Sequence, residues 1–338
     1  MSTDNFHGWA CHGKDKPLEL SELPLKAFDD YAVDMDITHC GICGSDIHTI
    51  DSGWGPTDYP CVVGHEITGI CTRVGKKVQK VKVGDRIGVG AQSGSCLKCE
   101  DCKSGNENVC MKGIVYTYSS YWENGDKSYG GYADKWRGHE HFIFKIPDNM
   151  SNEIAATFFC AGVTTYSPLK HYNVKPGDKV GVIGIGGLGH FGVQWAKAMG
   201  ATVRDDAKEL GCDDYIVTSN KEIMSAHNGT FTHILCTNFS PDFDWESYLS
   251  LLKANTHFIV VGVPDAPLSG IPALLLASRQ IAIVGSAIGS PSMIEDILNF
   301  AATHNVKPWV NKYPMKEVNE AIKAMREGKP RYRIVLEN

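Results

Sequence analysis

The sequence predicts an α/β protein made of a barrel-like β domain and a doubly wound parallel sheet. Three observations predict it. Residues 18 to 145 break into short β-like runs punctuated by glycine, the pattern of a domain with many short strands. From Lys179 onward, strand-like and helix-like runs alternate, as in a doubly wound parallel sheet. Gly184-x-Gly186-x-x-Gly189 falls where the first of those strands passes into its helix, the context that makes this glycine spacing informative.

Taken in order, Met1 to Leu20 is polar and has no apolar core, which argues against a secretory leader and for a cytoplasmic protein. Ala32–Ile37, Ile67–Val74 and Asp85–Val89 read as strands, with turns at Gly75 and Val83-Gly84-Asp85. At Ser151-Asn152-Glu153 the texture changes to a helix start, and Ile154 to Ser167 reads as helical. Val180–Ile185 reads as a buried strand, and Gly187–Met199 as a helix stopped by Gly200. Further strands are expected at Tyr215–Val217, His233–Cys236, Phe258–Val261 and Ile281–Val284. Helices at Ser292–His304 and Met315–Glu327 precede a closing strand, Tyr332–Leu336. The apolar run Ile271 to Ile288 is interrupted by Ser278-Arg279-Gln280 and reads as buried helix and strand, not as a membrane span.

The chain has 338 residues and a net charge of -6. That length allows about two or three domains. No Lys/Arg-rich face stands out, so nucleic acid is a poor partner. Twelve cysteines are many for an intracellular-looking chain, where metal is a better reading than disulfides.

Four of the twelve carry the most specific signal. Cys96-x2-Cys99-x2-Cys102-x7-Cys110 lets loop thiolates converge on one tetrahedral ion, which a structural zinc site requires. The alternative is four free thiols in a loop. A second cluster, Cys40-Gly41-Ile42-Cys43-Gly44-Ser45-Asp46-Ile47-His48 followed by Gly64-His65-Glu66, offers thiol, hydroxyl, carboxylate and imidazole together. A catalytic zinc takes three protein ligands and keeps one position open. Cys43 and His65 are read as two of the three, although either alone could be a core residue. The glycines at 184, 186 and 189 allow a tight turn and let backbone N–H groups approach a pyrophosphate; the alternative is a glycine-rich turn without ligand.

These segments, with Gly130-Gly131-Tyr132-Ala133, Cys160-Ala161-Gly162-Val163-Thr164-Thr165-Tyr166 and Gly184-Ile185-Gly186-Gly187-Leu188-Gly189-His190, resemble the zinc-dependent medium-chain alcohol dehydrogenases over essentially the whole chain. The likeness is nearest to the cinnamyl alcohol dehydrogenase branch, with its fungal NADP-dependent enzymes. The resemblance implies a GroES-like β-barrel catalytic domain (residues 1–157, zinc lobe at about 90–112), a Rossmann domain (158–289) and a C-terminal return (290–338). It implies two zinc ions per chain, one catalytic and one structural, NADP(H), an active site in the interdomain cleft and a homodimer. It supplies Cys160 as the third zinc donor and Glu66 as an alternate ligand. Asp46 becomes a carboxylate supporting the ligands, and Ser45 and His48 become a proton relay. Gly184, Gly186, Gly187, Leu188, Gly189, Thr164 and Arg204 are implied as cofactor contacts. Trp54, Ala91, Tyr116 and Trp122 fall in segments flanking the substrate pocket; for Tyr116 and Trp122 the alternative is packing of the lobe loop. The activity implied is reversible hydride transfer between a primary alcohol and its aldehyde. A polyol dehydrogenase, a zinc-free reductase that adds hydride to an activated double bond, and a non-catalytic nucleotide-binding homologue are the other readings.

The sequence departs from that family at two places. Gly44 stands where many relatives carry histidine or arginine. After Ala201-Thr202-Val203-Arg204 the chain runs straight into Asp205-Asp206-Ala207-Lys208, without about ten residues that the family has after its second strand. Asp205 and Asp206 are assigned to the later helix rather than to a ribose contact. The preference for NADP is therefore implied by the branch and not by a visible residue.

Overall fold

The computed structural model describes residues 4–204, 212–213, 216–240, 242–264 and 267–338. It divides into two compact units, Met1–Val163 with Gly289–Asn338, and Thr164–Ile288.

The first unit is β-rich. Its strands are β1 (Asn5–Cys11), β2 (Leu18–Pro24), β3 (Ala32–Ile42), β4 (Glu66–Val74), β5 (Arg86–Val89), β6 (Gln92–Gly94), β7 (Val115–Tyr116), β8 (Lys135–His139) and β9 (Phe144–Lys145). The second unit contributes β10 (Lys179–Ile183), β11 (Thr202–Arg204), β12 (Phe231–Cys236), β13 (Leu252–Val260) and β14 (Ala282–Gly285). The chain then returns to the first unit with β15 (Val310–Pro314) and β16 (Arg333–Glu337).

The main sheet of the first unit runs β15-β16-β3-β4-β5-β9, with β8 also on β3. All pairs are antiparallel except β15 with β16. β3 is the spine of this sheet. Its alternating side chains bury Val33, Met35, Ile37 and Cys40, and it delivers Cys43 just beyond its end. β4 reverses along it and pairs Glu66 with Gly41. The core gathers Phe6, Met35, Val62, Ile67, Ile87, Tyr132, Ile334 and Leu336 among others. The expected strands at 32–37, 67–74, 85–89 and 332–336 are present, each with ends shifted or extended by pairing.

The expected helix at 154–167 is interrupted. Asn152–Thr157 is α-helical, Phe158–Gly162 is a π-helical turn, and Val163–His171 is α-helical again. A π turn widens the spiral by one residue and is common at functional sites. Periodicity alone gives no sign of it, because every residue from Ala155 to Gly162 is buried.

The second unit is a five-stranded, wholly parallel sheet in the order β11-β10-β12-β13-β14. Helix Gly189–Ala198 follows β10 and buries His190, Phe191, Val193 and Trp195. The strand expected at Tyr215–Val217 does not form over Ile216 and Val217, and Tyr215 lies outside the described residues. Arg204 closes β11, whereas the assignment of Asp205 and Asp206 lies outside the described residues. No helix among the described residues is long and apolar enough to cross a membrane.

Candidate zinc centres and nucleotide site

The lobe comes first because its donors are local. Cys99 precedes the short helix Glu100–Lys103, which carries Cys102, and Cys110 follows a single 3-10 turn. Two sulfurs each about 2.3 Å from a tetrahedral zinc stand ~3.8 Å apart. The lobe sulfurs lie 3.9 Å (Cys96–Cys102), 3.5 Å (Cys99–Cys102), 3.8 Å (Cys99–Cys110) and 3.5 Å (Cys96–Cys110) apart. The donor set and its spacing fit a closed structural zinc site. Backbone N–H groups of Lys98 and Cys99 point at the Cys96 sulfur and bring its pKa down to about 6.

The second cluster is assembled from three distant segments. Cys43 is the N-cap of helix Gly44–Ile50. His65 immediately precedes β4, and Cys160 sits in the π turn. The Cys43 and Cys160 sulfurs are 3.8 Å apart, again the tetrahedral spacing. One donor atom each from Cys43, His65, Glu66 and Cys160 lies within 4.8 Å of all the others, and all four residues are buried. His65 Nε2 and Glu66 Oε2 are buried without a hydrogen-bond partner. Buried polar atoms are nearly always satisfied, so two orphans beside two thiols fit a cation.

The electrostatics agree. The Cys160 thiol and the His65 ring beside it hold the Cys43 thiol well below the usual range, and Cys160 is raised in turn. Burial opposes the His65 imidazolium, but the Cys43 sulfur, Asp46 and Glu66 outweigh it and lift the ring to about 9. Burial pushes Glu66 up to about 7 against the pull of Arg333. The pocket thus favours positive charge at its centre.

Asp46 explains why the segments converge. It is fully buried and accepts the N–H of Cys43 at 2.8 Å, the N–H of Gly64 at 3.1 Å and the hydroxyl of Tyr132 at 2.8 Å. Its hydrogen bonds tie down the backbone of Cys43 and of Gly64, the residue before His65. Gly41 is required next to it, since a Cβ there would stand 2.0 Å from Glu66 Oε2.

Ser45 and His48 share one face of helix Gly44–Ile50, three residues apart. The Ser45 hydroxyl is 3.6 Å from the Cys43 sulfur. Trp54 is half-exposed and stacks on the His48 ring at 4.4 Å between centroids. Ala91 is buried, and its carbonyl accepts the Thr117 N–H at 3.0 Å. Tyr116 is exposed on the β6–β7 ribbon. Trp122 lies 5.2 Å beneath the Lys26 ammonium, a packing position.

Three site residues escaped the sequence reading. Tyr118 stacks on His65 at 5.2 Å, nearly parallel. Tyr132 anchors Asp46. Arg333 donates to Glu66 and to the carbonyl of Ile42. A lone arginine inside the apolar run Tyr332–Leu336 was the available signal.

In the second unit, Gly184 takes a φ of +85° at the end of β10. The Thr237 hydroxyl donates to the carbonyls of Ile183 and Gly184 at 2.9 and 2.8 Å, which fixes the turn. A Cβ on Gly189 would stand 1.8 Å from the Gly184 carbonyl oxygen, so only glycine lets helix and strand meet here. A Cβ on Gly186 would touch nothing within 4 Å. Gly187 and Leu188 complete the turn, and the N–H groups that open helix Gly189–Ala198 face it, those of His190 and Phe191 donating to the carbonyls of Gly186 and Leu188 at 3.2 and 3.0 Å. The open side at Gly186 and that helix start fit a bound dinucleotide. Thr164 is buried in helix Val163–His171.

Residues 29–148 match the alcohol dehydrogenase GroES-like domain, and residues 187–303 match the zinc-binding dehydrogenase domain. The chain belongs to the zinc-type medium-chain alcohol dehydrogenases. It is 41% identical to a probable mannitol dehydrogenase of Mesembryanthemum crystallinum, covering 98% of this chain and 94% of that one. It is 39% identical to NADP-dependent alcohol dehydrogenase C 1 of Mycolicibacterium smegmatis, over 100% and 98% of the two chains. Among solved structures, a cinnamyl alcohol dehydrogenase of Sorghum bicolor superposes with a TM-score of 0.94 at 34% identity, covering 99% of this chain and 98% of that one. The barrel and the parallel sheet are accordingly the two domains of this enzyme family.

Proposed function

We propose that the chain interconverts primary alcohols and aldehydes with NADP(H), on aromatic, cinnamyl-like substrates or on a broad range that includes them. The observation that carries this reading is the convergence of Cys43, His65 and Cys160 beside Ser45. Zinc, when bound, supplies a Lewis acid that eases loss of the alcohol proton or polarises a carbonyl, and the nicotinamide supplies the hydride chemistry. Cys43, His65 and Cys160 would hold the ion, and Glu66 can reach it. The hydroxyl of Ser45 receives the substrate proton. His48, one helical step further on, passes it outward, as suits a group whose ordinary pKa lies near neutrality. Trp54 walls the His48 side, and its exposed ring offers a flat apolar surface to a planar aldehyde.

The choice of NADP(H) is supported by the Mycolicibacterium relative's name. A homodimer is supported by β14, which forms the outer edge of the parallel sheet. Beside it, helix Ala273–Arg279 buries none of its leucines, and Leu274 is 82% exposed. A polyol dehydrogenase is the second reading, favoured by the Mesembryanthemum relative's name. Steady-state kinetics with cinnamaldehyde and NADPH or NADH, set against mannitol oxidation, separate the two. NADPH-linked reduction of cinnamaldehyde is expected to dominate; efficient mannitol oxidation in its place would overturn the proposal.

A further inference from the structure

One ion pair touches the neighbours of every donor in the buried cluster. Arg333, on β16, is buried in the first unit and donates through Nη2 to the carbonyl of Ile42 at 2.9 Å and to Oε1 of Glu66. Ile42 precedes Cys43. Glu66 follows His65. The same Oε1 accepts the N–H of Ala161, which follows Cys160, at 3.3 Å. The second carboxylate oxygen of Glu66 makes no hydrogen bond, and the carboxylate belongs to the donor cluster. A planar guanidinium can hold a carboxylate and a carbonyl at once, which a lysine ammonium does with less fixed geometry.

We propose that Arg333 is a positioning residue for the catalytic metal. It locks Glu66 so that one oxygen braces the three donor segments and the carboxylate stays beside the ion without capturing it. Glu66 and Arg333 form the brace; Cys43, His65 and Cys160 do the binding. The lobe has no share in this brace, because its four donors come from one continuous loop. Without the guanidinium, a buried carboxylate loses its counter-charge and turns to the nearest cation. The donor segments also lose the bond that ties Ile42 to Glu66. The proposal rests on the reading of Cys43, His65 and Cys160 as zinc donors.

The test is zinc release from the full-length, zinc-loaded protein to a chromogenic chelator, 4-(2-pyridylazo)resorcinol, followed without any turnover. Wild-type protein should release two zinc ions per chain in two phases. A single zinc would overturn the donor reading beneath the proposal. Arg333→Met should accelerate the catalytic phase by about 10–100-fold, the usual cost of losing an outer-shell partner, and leave the lobe phase unchanged. Arg333→Lys should recover part of the difference. The double variant Glu66→Gln with Arg333→Met should release zinc at least as fast as Arg333→Met alone, since no carboxylate remains to join the ion. Cobalt-substituted Arg333→Met should show an altered visible spectrum as the carboxylate joins the ion. Equal acceleration of both phases would mark a general loss of folding, and unchanged release and spectrum in a folded variant would mark an idle ion pair. Either result overturns the proposal.

Discussion

The two cysteine-based clusters of the first unit hold sulfurs at the same separations, yet they are built in opposite ways. The lobe takes four donors from a stretch ending at Cys110, on a loop whose Cys96 and Cys99 remain partly exposed. The catalytic cluster draws on residues 117 positions apart, all buried, and it relies on Asp46, Tyr118, Tyr132 and Arg333 to hold them. A closed site made of one loop needs little from the fold. A site that must leave a position open needs the fold to do what a fourth ligand would otherwise do.

Removing a donor should separate the two most sharply. Cys43→Ala should lower kcat by about 10³-fold or more, the several kcal/mol that a Lewis acid supplies, while metal analysis still finds one zinc per chain. Loss of both ions would show that the sites are coupled. Next, Asp46→Ala should weaken catalytic zinc affinity by about 10–100-fold and leave the lobe ion in place, as read by competition with a chelator. Thermal melting gives a smaller contrast. Cys102→Ala should lower Tm by roughly 5–10 °C, since loss of a structural metal is among the larger single-residue effects, with the catalytic zinc retained. A last contrast is chemical. After zinc removal, iodoacetamide at pH 7 should label Cys96 well before Cys160. Cys96, lowered to about 6, is mostly thiolate there, while Cys160, raised by Cys43 and by burial, keeps its proton. Labelling of Cys96 should fade as pH falls below about 6, as mass spectrometry of the tryptic peptides can show.

The same contrast explains what could be read in advance. The lobe was legible because its spacing is its geometry. The nucleotide turn was legible because Gly184 and Gly189 each meet a need that the backbone imposes, Gly184 by its φ of +85° and Gly189 at 1.8 Å from the Gly184 carbonyl oxygen. Cys43 and His65 could be read as donors from their residue types, although either alone could be a core residue, and Cys160 was legible only through resemblance. The π turn at Phe158–Gly162 was not legible, and the bond from Arg333 to Glu66 left no sign beyond a lone arginine in an apolar run. That bond depends on how β3, β4 and β16 register against one another, and a one-residue shift in that pairing would turn each side chain to the other face.

β16 lies beside β3 in the sheet but follows the whole parallel-sheet unit along the chain. During synthesis, therefore, the lobe has all its thiols as soon as Cys110 leaves the ribosome, whereas the other centre waits for Arg333. Metal loading becomes a timed event: the structural ion can enter an unfinished polypeptide, and the reactive ion is braced only when nearly all of the chain described here has been made.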